Sequence, residues 1–243
     1  MTNEGCFGKK HPSFVVRGEN MKKRETVLIV ISAMAACICM GIVDAIIQPG
    51  YVIKSVIKIA LFLGLPIFYV FRSKDGMLKR VIMPDKKGAF LALSAGIAVY
   101  ALILAAYFIF RNIFDFSALT SSLTSTTGVD KANFLWVALY ISFANSLLEE
   151  FFFRGYAFLN LKQLRGRRFA YVFSAAIFAL YHIAMMIGWF DSTVIALALV
   201  GLFAGGLIFN WFDEKFGNIY MSWLVHMFAN FATNTIGYIL FNR

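Results

Sequence analysis

Two adjacent carboxylates, Glu149 and Glu150, an arginine four residues on, Arg154, and two histidines, His182 and His226, all lie in apolar parts of the chain. An ionised side chain at the centre of a membrane helix costs about 2.5 to 3.5 kcal/mol on insertion scales, so each needs a partner or a purpose. Side chains four residues apart share a helical face. That rule sets Asn145 beside Glu149 and Glu150 beside Arg154, and it draws Ser222, His226, Asn230 and Asn234 into one polar stripe. Glu149 and Glu150 point about 100° apart, so they take different jobs. Glu150 with Arg154 reads as an ion pair that neutralises itself, which leaves Glu149 to face the bundle interior with the histidines. Singly, each of these groups is accounted for as a hydrogen-bonding link between helices. Gathered at one depth, they are residue types suited to acid–base work, or to holding a metal ion.

The elements that must position them are set by composition. Of 243 residues, 60% are hydrophobic and 15% charged, too apolar a balance for a soluble domain of this length. About 20 apolar residues cross the hydrocarbon core as a helix. Seven segments meet or approach that length, spanning 26–47, 51–71, 88–110, 132–153, 169–189, 193–212 and 218–241. The fold expected is an all-α polytopic membrane bundle of seven clear spans. The Ser- and Thr-rich stretch 114–130 is either an external loop or a short re-entrant helix that would make an eighth. Pro66 is expected to kink the second span, and Gly201 with Gly205 to let the sixth pack closely. At 1.5 Å rise per residue, Glu149, His182, His226 and Asn230 fall within about two helical turns of one depth.

The net charge of +10 does not form a soluble basic face, so nucleic acid is not an expected partner; membrane lipid is. Six Lys/Arg fall in the tail before residue 26, six between Arg72 and Lys87, and four between Lys162 and Arg168. That alternation puts the N-terminus and the second and fourth loops in the cytoplasm, with the plasma membrane as the expected location. His11 in the polar tail needs no special role, and Asp44, Lys54 and Lys58 are expected to reach the interface or a cavity. Cys6, Cys37 and Cys39 have no metal-ligand spacing and make no disulfide framework. Met34-Ala35-Ala36-Cys37 resembles a lipoprotein cleavage site were translation to begin at Met21, but the apolar run continues to Ile47, as a retained helix would. No internal repeat or linker is apparent, so the spans read as one helical domain: a cytoplasmic basic tail (1–25), N-terminal membrane helices (26–130) and the segment that carries the polar cluster (131–241).

Three motifs then carry a family resemblance: Glu149-Glu150-Phe151-Phe152-Phe153-Arg154, Phe178-Ala179-Leu180-Tyr181-His182 and His226-Met227-Phe228-Ala229-Asn230. In this order and on separate helices, they resemble the CAAX protease and bacteriocin-processing (CPBP, or Abi) family of membrane proteins. The resemblance covers residues from about 131 to 241. It departs from the family pattern in the number of helices, usually described as eight. The resemblance implies an intramembrane endopeptidase in which Glu149 is the base, His182 holds or polarises the water, and His226 with Asn230 binds the oxyanion. Glu150 and Arg154 support them. The implied substrate is a membrane-associated protein or peptide, either a prenylated carboxy-terminal tail or a bacteriocin- or pheromone-like peptide. No cofactor is firmly expected. Zinc is the open alternative, with Glu149, His182 and His226 as ligands, although His-Glu-x-x-His is absent and asparagine is a poor zinc ligand. The cavity is expected to open toward the cytoplasmic half. A rival from another class is a transporter or bacteriocin-immunity protein that binds in the same pocket without cutting.

Overall fold

The computed structural model describes residues 18–73, 86–114, 116–188 and 190–242. His11, Cys6 and most of the two basic stretches before residue 26 and between Arg72 and Lys87 lie outside the described residues. Eight helices run through what is described, with no strand among those residues. They are α1 (Glu19–Ile47), α2 (Tyr51–Ser73), α3 (Ala89–Phe110), α4 (Ser117–Thr127), α5 (Phe134–Arg165), α6 (Arg167–Met186), α7 (Ser192–Phe216) and α8 (Tyr220–Phe241). Six of them, α1, α2, α3, α5, α6 and α7, are long and apolar enough to cross a membrane. The protein is an integral membrane helical bundle. The expected seventh span, α8, is a continuous helix of 22 residues, but His226, Asn230 and Asn234 leave it less apolar than the other six. The 114–130 segment contains α4, which at 11 residues is too short to cross.

Local sequence explains the turns that bring the polar groups into register. Gly166 sits at φ 103°, a conformation open to glycine, and reverses α5 directly into α6. Asp191 caps α7, its carboxylate accepting from the N–H groups of Thr193 (2.7 Å) and Val194 (3.1 Å). Helix α2 runs unbroken through Pro66. Helix α3 packs along α8, α6 packs along α7, and α1 lies against α5 and α6. Close approach on α7 occurs at Gly206, where a Cβ would stand 2.9 Å from the Ala175 Cα of α6. A Cβ at Gly201 or Gly205, the expected packing pair, would meet nothing within 4 Å. A small-x-x-x-small pattern marks a helix surface on which close packing is possible, and here the packed face is one residue further round.

Helix α5 is not uniform. From Ile141 to Asn145 and from Glu150 to Phe158 it widens into π-type turns. Such turns are enriched at functional sites because they redirect side chains and carbonyls. The second stretch is buried throughout and carries the aromatic core. Phe62 of α2 stacks on Phe152 at 4.1 Å, and Phe153 meets Phe178 (5.3 Å) and Tyr181 (5.8 Å) of α6.

Candidate active site

Glu149 is held at the centre of this framework with its two carboxylate oxygens in different surroundings. Its Oε1 accepts hydrogen bonds from the ammonium of Lys58, one turn from Phe62 on α2, and from the Asn145 amide at 3.0 Å. Lys58 also donates to Asn145 Oδ1 (2.6 Å), so the three side chains form a closed set. Oε2 faces the two imidazoles, 3.9 Å from His182 Nε2 and 3.7 Å from His226 Nε2. One oxygen is anchored and the other is free to work.

Each histidine is oriented through its other ring nitrogen. His182 lies where α6 loses its regular hydrogen bonding, and its Nδ1 is 2.7 Å from the Phe178 carbonyl. A carbonyl can only accept, so Nδ1 carries the proton, and in the neutral ring Nε2 presents a lone pair toward Glu149. His226 Nδ1 is 2.7 Å from Glu150 Oε1, and its ring stacks on Phe209 at 5.1 Å. With Nδ1–H on that carboxylate, His226 offers a donor at Nε2 only in its doubly protonated form.

Glu150 therefore does more than neutralise Arg154. The pair exists, with Arg154 Nη1 3.2 Å from Glu150 Oε1 and both side chains fully buried. The same oxygen also holds His226, so the expectation of a self-contained ion pair is corrected. Glu149 and Glu150 approach opposite nitrogens of one imidazole, a link invisible to the i, i+4 rule because His226 comes from α8. Arg154 is sandwiched between rings, 4.1 Å from the Phe178 centroid and 4.9 Å from that of Phe209.

The polar stripe on α8 divides by function. Asn230 donates to the Ile141 carbonyl (3.2 Å), one of the groups redirected by the first π-type turn, and borders the same cavity as Glu149. Asn234 ties α8 to α5 through the Ala138 carbonyl (3.2 Å) and Ser142 Oγ (3.0 Å). Ser222 donates to the Ile219 carbonyl of its own helix at 3.0 Å.

Glu149, His182, His226 and Asn230 line one cavity of about 360 Å³, and Lys58, Asn145 and Tyr181 line it with them. Lys58 is the participant that sequence reasoning placed only loosely. A lysine inside an apolar span is itself the signal, but its partner depends on which helices are neighbours. Lys54, one turn away, pairs instead with Asp44 of α1 at 2.5 Å. The cavity extends toward the starts of α2 and α5 and the end of α8, away from the basic loops. The opposite direction is filled by the aromatic core of α2, α5 and α6.

Among the described residues, no group of three or more His, Cys, Asp or Glu side chains is spaced to hold a metal ion. The ammonium of Lys58 on Glu149 further opposes a divalent ion at this carboxylate.

No curated protein and no solved structure matches the chain. Residues 131–232 match the model of a family described as type II CAAX prenyl endopeptidase Rce1-like. The matched segment contains all three motifs and ends before Asn234; Lys58 lies outside it. Over these residues the chain is similar to the CPBP, or CAAX protease, family of membrane proteases, as its three motifs imply.

Proposed function

We propose that this protein is an intramembrane endopeptidase that hydrolyses a peptide bond with a water activated by Glu149. The observation that carries this reading is the division of labour on that carboxylate: Oε1 is held by Lys58 and Asn145, and Oε2 faces both imidazoles. A water at Oε2 gives one hydrogen bond to the carboxylate and a second to the His182 Nε2 lone pair, which turns its own lone pair toward the scissile carbonyl. As the C–O bond forms, the water proton passes to Glu149. The negative charge growing on the carbonyl oxygen is met by Asn230 N–H and by Nε2–H of His226, the latter with Nδ1–H anchored on Glu150. Collapse breaks the C–N bond, and Glu149 returns its proton to the leaving amine. Every role in this sequence is filled by side chains of the bundle, and no metal enters it.

The catalytic core is residues 131–241, and the helices of 26–130 contribute to it through Lys58 on α2. A membrane-associated peptide or protein is the substrate, taken from surrounding lipid in the plasma membrane. The test is to reconstitute purified protein with a peptide library and read cleavage by mass spectrometry. Wild type should cut at defined bonds and Glu149→Gln should not. Equal cutting by both would remove Glu149 from the chemistry, and no cutting by either would favour a binding protein.

A further inference from the structure

The cavity reaches toward one end of the bundle and is sealed at the other, and the loops at those ends differ in charge. From Glu149 it runs past Asn145 and Ile141 to Phe134 at the start of α5, with Lys54, Thr127 and Gly237 along its walls. In the other direction, Phe62 stacks on Phe152 (4.1 Å), Phe153 meets Phe62 edge-on (5.4 Å), and Tyr156 packs on Tyr69 (5.4 Å). Phe152, Phe153, Tyr156 and Phe158 are all buried, so this layer closes the floor.

Beyond the floor lie Arg72 at the end of α2, Lys162 and Arg165 at the end of α5, and Arg167 at the start of α6. Of the three internal connections at this end, two hold six Lys/Arg (Arg72 to Lys87) and four (Lys162 to Arg168), and the third, 217–219, holds no charge. At the cavity end, the connections 48–50, 111–133 and 187–191 together hold two basic residues, Arg111 and Lys131, against three acidic ones, Asp115, Asp130 and Asp191. Lysine and arginine near helix ends are retained on the cytoplasmic side during insertion, which fixes the sealed end there.

We infer that the cavity opens on the non-cytoplasmic face of the membrane, and that its substrate is a peptide presented from that face. Such a substrate has been exported, or is anchored with its cleavage site outside; a lipidated tail lying on the cytoplasmic leaflet would meet the aromatic floor. The identity of the substrate rests on the protease reading above, whereas the sidedness of the cavity does not.

Two positions report the sides without any need for activity. In a variant whose native cysteines are replaced by alanine, half-buried Thr127 at the cavity wall and exposed Gln163 at the basic end are changed singly, Thr127→Cys and Gln163→Cys. Each is treated with a membrane-impermeant maleimide in intact cells and again after permeabilisation. Thr127→Cys should react in intact cells, and Gln163→Cys only after permeabilisation. The reverse order, or equal reaction of both in intact cells, overturns the inference. In a second arm, a peptide library is added outside intact cells or to detergent-solubilised protein. Cleavage outside intact wild-type cells, absent with Glu149→Gln, supports an externally presented substrate; cleavage only after solubilisation overturns it. External labelling of Thr127→Cys with no cleavage in either preparation would instead reject the protease reading and leave the sidedness standing.

Discussion

At the scale of single residues, the carboxylate of Glu149 depends on a lysine from outside the family-matched segment. Lys58 and Glu149 are both buried, and removing one member of a buried pair leaves the other charge without compensation, at about 3 to 5 kcal/mol. Lys58→Met is therefore expected to lower thermal stability in detergent sharply, and the double change Lys58→Met with Glu149→Gln to recover most of the loss. As a positioning residue, Lys58 should act on turnover more than on substrate affinity. Lys58→Arg keeps the charge but shifts Glu149, and a misplacement of about 1 Å costs on the order of 10²-fold in rate. Steady-state kinetics of the arginine variant would show kcat reduced with KM little changed. A rise in KM alone would assign Lys58 to substrate binding.

Along one element, the same residue type does two jobs on α8. Asn230 and Asn234 are one turn apart and both donate to α5. Asn230 spends one N–H on the Ile141 carbonyl and keeps a second for an oxyanion, whereas Asn234 donates to both Ala138 and Ser142. Asn230→Ala should cut turnover by about 10²- to 10³-fold with folding retained, the usual cost of one oxyanion donor. Asn234→Ala should leave turnover near wild type and lower stability by about 1 kcal/mol, the scale of a hydrogen bond between membrane helices. Equal losses of turnover from the two substitutions would make the whole stripe a helix-packing device. The π-type turns of α5 are the counterpart of this stripe. The first ends at Asn145, which holds Glu149, and the second begins at Glu150, which meets His226 of α8.

For the whole molecule, the choice between metal-free and metal-assisted hydrolysis is a matter of charge and geometry across four helices, α2, α5, α6 and α8. The lysine on Glu149 supplies the positive charge that a divalent ion would otherwise bring. Dialysis against a chelator should leave peptide cleavage unchanged, and elemental analysis of active protein should find zinc well below one per chain. Activity lost on chelation and restored by Zn²⁺ would transfer Glu149, His182 and His226 to a ligand set.

Much of the site was legible in the sequence. Helices of this length and apolarity can satisfy their backbone only within themselves, so composition alone determined an all-helical membrane protein. The i, i+4 rule paired Asn145 with Glu149 and Glu150 with Arg154, because those neighbours lie on one helix. The three motifs pointed to the family for the same local reason. Contacts between helices were beyond that reach. That Lys58 of α2 meets Glu149, that Glu150 holds His226, and that Gly206 rather than Gly201 or Gly205 makes the close approach were decided by tertiary packing. The direction of the cavity was decided in the same way, since an aromatic floor forms only when rings from α2, α5 and α6 meet, and no spacing along a single segment records which helices are neighbours.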